Sequence, residues 1–213
     1  MKPNATKQQL EIQALHFFAE HDFERSSLND IAKALGITKG AIYHYFKGKD
    51  DLFESAMNRL LDEMEKWFVH ALPRDIPFKL LLENLFNMDE ALSELAKNSQ
   101  LGHVVTEYKN MMYLVLAALK KFPNLQARID EIYSSFRRVL VSVMDSAIER
   151  GEIRSDTDVE AAAFEITAFY EGALLLGAFS ERKDYEVLGP RVCRTIWKGI
   201  AAEPESRSRK KGD

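Results

Sequence analysis

The sequence has little cysteine, glycine or proline. Its 213 residues include a single cysteine, Cys193, which excludes an internal disulfide and any metal site built from several cysteines. Ten glycines and six prolines provide few turns, so a many-stranded all-β fold is not expected. No apolar run approaches the ~20 residues that a membrane span requires, and the N-terminus lacks a hydrophobic signal region. These absences predict a cytoplasmic protein without a membrane partner.

Catalytic and metal-binding patterns are also missing. The sequence contains no P-loop, no G-x-S-x-G, no H-E-x-x-H and no glycine-rich dinucleotide fingerprint. The five histidines are scattered without an H-x-x-x-H pair, which favours solvated or hydrogen-bonded histidines over metal ligands. We therefore expect a protein that is not an enzyme and uses no metal and no cofactor.

The charge is unevenly distributed. The net charge is −4, with +1 in residues 1–50, where seven basic side chains face six acidic ones, and −6 in residues 51–202. The last eleven residues, 203–213, are polar and are predicted to form a disordered basic tail. Its basic cluster is more typical of a solvated tail than of a DNA-binding arm. Net charge alone therefore does not indicate a nucleic-acid partner.

Helical periodicity dominates the chain and predicts an all-α fold. A long amphipathic stretch over 49–72 is stopped by Pro73, and two or three shorter helices should follow within 78–121. A second long stretch up to Ile148 ends at Gly151, and Ser155 or Asp156 can cap a further helix reaching Phe179. A last helix is expected over 185–200, with Gly189-Pro190 marking a kink or a late start.

The segment 26–53 has the pattern of a helix-turn-helix. Ser27 and Asp30 form a capping box that starts one helix, and Gly36 lies where a tight turn needs a positive φ. Thr38 can cap a second helix, on which Ile42 and Phe46 face inward. In this motif the second helix enters the major groove of DNA.

The outward residues of this motif are the candidate DNA contacts. Lys39 can donate to guanine acceptors, and Gly40 lets the backbone approach closely, whereas hydroxyls and Lys49 suit phosphates. Tyr43 and Tyr45 could instead be core aromatics, but their exposed Lys and His neighbours favour DNA. The full set of predicted contacts is Ser26, Ser27, Thr38, Lys39, Gly40, Tyr43, His44, Tyr45 and Lys49.

Over Thr6 to Phe53 the chain resembles the TetR family of bacterial transcriptional regulators. The resemblance is carried by Phe17-Phe18, Phe23, Ser26-Ser27, Asp30-Ile31-Ala32, Gly36-Ile37-Thr38-Lys39-Gly40, Ile42-Tyr43, Phe46, and Lys49 before Leu52. Two positions depart from it. Asp22 replaces the usual glycine and should tolerate a left-handed turn, and Ala41 makes base contact at that position doubtful.

The resemblance implies two domains, a three-helix DNA-binding domain over 1–50 and a helical ligand-binding and dimerisation domain over 51–202. The helices at 128–150 and 157–179 resemble the pair that forms a four-helix dimer interface. The second of them is apolar or small on two sides, which requires its own core and a second subunit. The predicted interface residues are Phe169, Gly172, Ala173 and Leu176.

These features predict a homodimeric repressor that binds a palindromic double-stranded DNA operator and is released by a small, largely apolar effector. The candidate effector pocket is lined by Phe68, Phe86, Tyr108, Met111 and Phe136. Two alternatives remain within the class, an activator and an effector-independent DNA-binding protein. A helical small-molecule binder or enzyme is the alternative from another class.

Overall fold

The computed structural model describes residues 6–70, 72–73, 75–87, 101, 108–179 and 184–202. Helices dominate these residues, and the β structure within them is a single isolated bridge between Ile153 and Ala201. The all-α prediction is confirmed. The predicted tail at 203–213 lies outside the described residues. In chain order the helices are α1 (Lys7–Glu20), α2 (Leu28–Ala34), α3 (Lys39–Tyr43), α4 (Lys49–His70), α5 (Phe78–Phe86), α6 (Tyr108–Lys121), α7 (Asn124–Glu149), α8 (Val159–Phe179) and α9 (Asp184–Ile200).

The N-terminal core is built around three phenylalanines from α1, the following loop and α4. The ring of Phe53 lies 4.9 Å from that of Phe18 and 4.4 Å from that of Phe23. Phe18 and Phe53 are fully buried, and Phe23 is nearly so. Aromatic side chains bury large apolar areas. This cluster therefore holds the loop between α1 and α2 firmly against the start of α4.

A buried carboxylate joins α1 to α4. Glu11 accepts hydrogen bonds from Arg59 Nε at 2.6 Å and from Ser55 Oγ at 2.7 Å, both on α4. Lys7 adds a longer contact at 3.8 Å. A buried charge is tolerated only when it is paired and hydrogen-bonded. This network therefore favours one register of α1 against α4.

Helix α4 belongs to both halves of the molecule. Its first half packs on α1, whereas Trp67 and Phe68, near its end, lie among the helices of the second half. The C-terminal end of α6 also reaches the N-terminal core. Lys121 lies 3.1 Å from Asp50 and 5.0 Å from the ring centroid of Phe23. Both α4 and α6 therefore connect the halves.

Helices α7 and α8 pack against each other and are joined by a short turn. Gly151, at φ 72°, follows the end of α7 as predicted. The predicted cap at Ser155 or Asp156 is wrong by a few residues, because the side chain of Asp158 accepts a hydrogen bond from Ala161 N at 3.0 Å.

Helix α9 runs through Pro190 without a late start and packs on α5. A Cβ on Gly189 would lie 3.0 Å from Phe86 O, so this close approach favours glycine.

The outward face of α8 differs from the predicted one. Ala173 is 7% exposed and packs with Tyr170 and Leu174, and Phe169 stacks on Phe86 at 4.9 Å, so both side chains face the protomer's own core. Periodicity revealed two apolar sides of this helix but could not tell which one is already covered. The exposed large apolar residues here are Phe164, Leu175, Leu176 and Phe179 on α8, and Val187 and Leu188 on α9.

Helix α7, predicted to share the dimer interface, presents a charged outer face. Its exposed positions include Glu131, Arg137 and Arg138, and Arg138 pairs with Glu131 at 2.7 Å. The large exposed apolar side chains described in this part of the bundle therefore lie on α8 and α9, and α7 presents charges outward. We call the six residues from Phe164 to Leu188 named above the α8–α9 face.

Candidate nucleic-acid interface

The start of α2 is fixed by a reciprocal capping box. Ser27 Oγ accepts a hydrogen bond from Asp30 N at 3.3 Å, and the Asp30 carboxylate accepts from Ser27 N at 2.9 Å. The Ser27 hydroxyl also donates to that carboxylate at 2.6 Å. These hydrogen bonds hold the pKa of Asp30 below its ordinary value. Helix α2 thus begins at a defined residue, which sets the position of the turn that follows.

The turn between α2 and α3 depends on Gly36. Its φ of 63° lies in the left-handed region that favours glycine. The following amide, Ile37 N, donates to Ala32 O at 3.0 Å, and Thr38 Oγ1 accepts from Ala41 N at 3.2 Å to start α3. Ile42 is fully buried against α2. The short helix α3 is therefore held in one orientation although it has only five residues.

One face of α3 and its flanks is exposed as predicted. Thr38, Lys39, Gly40, Tyr43, His44 and Tyr45 are all solvent-accessible, with Tyr43 52% exposed. The Lys39 ammonium lies 5.6 Å from the ring centroid of Tyr43, one helical turn away. Such a cation–π contact orders the lysine without burying its donors. A Cβ on Gly40 would meet only Thr38 Oγ1 at 3.7 Å, so this position is open toward solvent.

Three predicted contacts use their donors within the chain. The Lys49 ammonium donates to Phe23 O at 2.7 Å and Ser26 O at 2.8 Å, and it lies 4.3 Å from the Phe23 ring centroid. Ser26 Oγ donates to Asp22 O at 2.7 Å, and the Ser27 hydroxyl belongs to the capping box. These groups hold the loop before α2 in place. Their assignment to DNA phosphates stays a prediction.

Asp22 keeps its loop together in a way that differs from expectation. The positive φ angles of the described residues belong to Gly36 and Gly151, so Asp22 is not left-handed. Its carboxylate instead accepts hydrogen bonds from Glu24 N at 2.8 Å and Arg25 N at 3.3 Å. A short acidic side chain that bonds to its own backbone two residues later can replace the usual glycine at this turn.

Sequence reasoning overlooked Lys47. Its side chain is exposed between α3 and α4, and its backbone N–H donates to Asp51 Oδ2 at 2.7 Å. This bond holds the segment against the first turn of α4. The available signal was a lysine two residues before Lys49, at a position that the motif does not bury.

Of the predicted pocket residues, those whose side chains are described lie in the helical bundle. The rings of Phe68 and Phe136 pack on each other at 4.7 Å, and Phe86 stacks on Phe169. Met111 is half-buried, and the side chain of Tyr108 lies outside the described residues. The prediction that these five residues line one pocket stays untested.

The part of the chain that the structure describes contains neither a candidate metal site nor a candidate membrane span. It contains no group of three or more His, Cys, Asp or Glu side chains arranged to hold a metal ion. Among its helices, none combines the length and apolar character needed to cross a membrane. The exposed basic and hydroxyl-bearing face around α3 is therefore the main candidate for polar recognition.

Comparison with known proteins assigns both halves. Residues 13–56 match the family described as bacterial regulatory proteins, tetR family, and residues 118–187 match the tetracyclin repressor-like C-terminal domain. The chain belongs to the TetR family. The protein is therefore a DNA-binding transcriptional regulator and not an enzyme.

Several relatives of this TetR-family chain are named repressors or regulators. The transcriptional repressor KstR2 of Rhodococcus jostii is 28% identical over 70% of this chain and 68% of its own length. A fatty acid metabolism regulator protein of Bacillus subtilis is 25% identical over 88% of this chain and 91% of its own.

Solved structures share the fold. A TetR-family regulator from Cytophaga hutchinsonii has a TM-score of 0.71 and 22% identity over 93% of this chain and 96% of its own. FadR from Bacillus subtilis, solved with stearoyl-CoA, has a TM-score of 0.61 and 22% identity over 92% of this chain and all of its own. At these identities the likeness concerns the fold alone.

Proposed function

We propose that this protein is a homodimeric repressor that binds a palindromic operator and leaves it when a small, largely apolar effector binds. The observation that carries the proposal is the presence, on one chain, of an exposed polar face on α3 and an exposed apolar face on α8 and α9. The first face suits DNA. The second suits another copy of the same surface. Relatives named as repressors support the direction of regulation.

DNA recognition is assigned to the face around α3. Lys39, ordered by Tyr43, contacts a base edge in the major groove, where a lysine donates to guanine O6 or N7. Phosphates, which position the helix without reading sequence, are contacted by Thr38, Tyr43, His44, Tyr45 and Lys47. Gly40 allows α3 to approach the groove, since its open side carries no Cβ.

Dimerisation is assigned to the α8–α9 face. Phe164, Leu176 and Phe179 are 62%, 70% and 79% exposed, and large apolar side chains exposed on two neighbouring helices suit an interaction site. A twofold contact pairs one patch with itself, so the two helices of each protomer would form a four-helix interface. The twofold axis would set two α3 helices on half-sites about 34–36 Å apart.

The effector is assigned to the helical bundle that α4 and α6 connect to the DNA-binding half. The bundle holds more aromatic and methionine side chains than a DNA-binding module needs, including Phe68, Met111 and Phe136. A relative of the same fold was solved with stearoyl-CoA, whose acyl chain is apolar. These facts support an effector with a large apolar part.

Two contacts suit signal transfer to the DNA-binding half. Glu11 and Arg59 couple α4 to α1, and Lys121 couples the end of α6 to Asp50 and Phe23. An effector that moves either helix would tilt the two α3 helices of the dimer relative to each other. A coupling free energy of ~1–3 kcal/mol would lower operator affinity roughly 5–150-fold.

The test combines selection of DNA and measurement of assembly. Purified protein is used to select fragments from random DNA, and binding of the selected site is followed by fluorescence anisotropy at several salt concentrations. We expect an inverted repeat, strong salt dependence and a dimer by sedimentation. Failure to enrich any sequence, or tight binding by a monomer to a single half-site, would contradict the proposal.

A further inference from the structure

Tyr170 on α8 has a buried hydroxyl that the described part of the chain leaves unsatisfied. The residue is 5% exposed, and its hydroxyl finds no hydrogen-bond partner there. Buried polar groups are paired in most proteins, because an unpaired one forfeits its hydrogen bonds to water. The orphaned hydroxyl therefore needs a physical explanation.

Tyr170 belongs to a small apolar cluster beside the main core. Tyr170, Ala173 and Leu174 form a small cluster, and half-buried Trp67, Met111, Met112 and Phe169 pack against it. The indole ring of Trp67 lies 5.8 Å from the Tyr170 ring at a tilt of 32°. Methionine side chains adapt to irregular shapes. Such a wall suits a flat or elongated apolar molecule.

The electrostatics favour a neutral ligand atom. The nearby Glu171 carboxylate adds to burial in raising the pKa of both Tyr133 and Tyr170. Burial is the largest cause of the raised pKa of Tyr170, so its hydroxyl stays protonated and can donate. A ligand anion at this hydroxyl would be repelled by Glu171, whereas a neutral carbonyl oxygen would not.

We propose that Tyr170 Oη is the polar anchor of the effector site and donates its hydrogen bond to a neutral carbonyl oxygen of an otherwise apolar ligand. The body of the ligand lies against Trp67, Met111 and Met112. The inference rests on the proposed function, because it names the chemical class of effector for the same regulator. Met111 and Met112 lie on α6, the helix whose other end contacts Phe23 and Asp50.

The experiment compares two probes of matched shape, methyl naphthyl ketone and ethylnaphthalene, by calorimetric titration of the full-length protein. We expect the ketone to bind the unmodified protein about tenfold more tightly than the hydrocarbon, which is the gain from one hydrogen bond to a buried donor. Tyr170→Phe should remove this preference. Tyr113→Phe, which changes an exposed tyrosine of α6, should keep it.

A thermal melt of the unliganded variants gives an independent readout. Removing a hydroxyl that has no partner should leave Tm unchanged or raise it by about 2–4 °C. A Tm that falls by several degrees in Tyr170→Phe would mean that the hydroxyl has a structural partner, and would overturn the assignment. Equal binding of the two probes, or no binding of either, would also overturn it.

The outcomes separate this inference from the proposed function. Operator binding by the unmodified protein and by Tyr170→Phe is measured on the selected DNA. If both bind DNA but the ketone preference is absent, only the effector chemistry is wrong. If neither binds any DNA sequence, the proposed repressor function is wrong whatever the calorimetry shows.

Discussion

The two halves of this regulator differ in how fully their side chains are buried or hydrogen-bonded within the chain. Around α1 to α3, the buried rings of Phe18 and Phe53 close the core, and Glu11 and Lys49 have specific partners. In the helical bundle, by contrast, Phe164 and Leu176 remain exposed and the Tyr170 hydroxyl is buried without a partner among the described residues. The first half pairs its buried charge within the chain and presents polar groups outward. The second half leaves apolar side chains exposed and one buried hydroxyl unpaired among the described residues.

The largest expected effect on assembly and operator affinity comes from a change in the α8–α9 face. Leu176→Arg places a charge at the centre of an apolar contact but leaves the fold intact, because this side chain is 70% exposed. We expect a folded monomer whose operator affinity falls ~10²–10⁴-fold, since the two half-sites are no longer bound together. Sedimentation and anisotropy measure both effects.

Two further variants control this prediction. Ser142→Arg, on the charged outer face of α7, should remain a dimer of unchanged affinity. Ala173→Arg should unfold the bundle, because Ala173 is buried against Tyr170 and Leu174. A dimeric Leu176→Arg protein with full affinity would rule out this face as the interface.

The N-terminal half should be most sensitive at its buried ion pair. Arg59→Ala leaves the Glu11 carboxylate buried with only Ser55 and a distant Lys7, and should lower the free energy of unfolding by about 2–3 kcal/mol. This range is below that of a fully buried pair because Arg59 is partly exposed. Chemical denaturation gives the value, with Lys7→Ala as a control expected within about 0.5 kcal/mol of the parent. An Arg59→Ala variant with an unchanged free energy of unfolding would show that the Glu11 carboxylate does not depend on Arg59.

The polar face of α3 should separate sequence reading from positioning. Lys39→Ala should cost ~1–3 kcal/mol on the selected operator and relax preference at one base pair. Lys47→Ala should weaken all sequences alike and reduce the salt slope by about one. Repeating the selection with each variant measures both. An equal loss on every sequence from Lys39→Ala would argue against base reading.

Lys49 should behave as a structural residue more than as a phosphate contact. Lys49→Ala removes two hydrogen bonds to backbone carbonyls and should lower the free energy of unfolding by about 1–2 kcal/mol. Lys47→Ala, whose ammonium is on an exposed side chain, should leave stability nearly unchanged. Denaturation curves of the two variants give the comparison. If Lys49→Ala changes only the salt slope, its ammonium contacts DNA directly.

Local patterns were enough to predict much of the DNA-binding half. Capping boxes, a left-handed glycine and short-range burial involve residues a few positions apart, so Ser27, Gly36 and Thr38 could be assigned from their neighbours alone. The long helices followed from periodicity in the same way. Asp22 was the local exception, since the side chain and not a positive φ makes the turn.

The partners of individual side chains were decided by tertiary structure. The predicted role of Lys49 was a phosphate contact, and its sequence position gave no sign that the loop after α1 places Phe23 O and Ser26 O against its ammonium. Glu11 and Arg59 lie 48 residues apart in sequence, and no local pattern pairs them. Contacts of this kind depend on how helices dock.

The sequence by itself determined an all-α chain, its N-terminal helix-turn-helix and a helix α8 that is apolar on two sides, because helix formation, capping and amphipathicity depend on neighbouring residues. Only the tertiary structure decided which side of α8 stays uncovered and where, among the described residues, a buried hydroxyl is left without a partner. Ala173 and Leu176 are both apolar and only three positions apart, yet one is buried and the other exposed. The difference arises because α6 and α7 pack against α8 and side chains such as Met111 cover Ala173 but leave Leu176 exposed, and burial is a property of that packing.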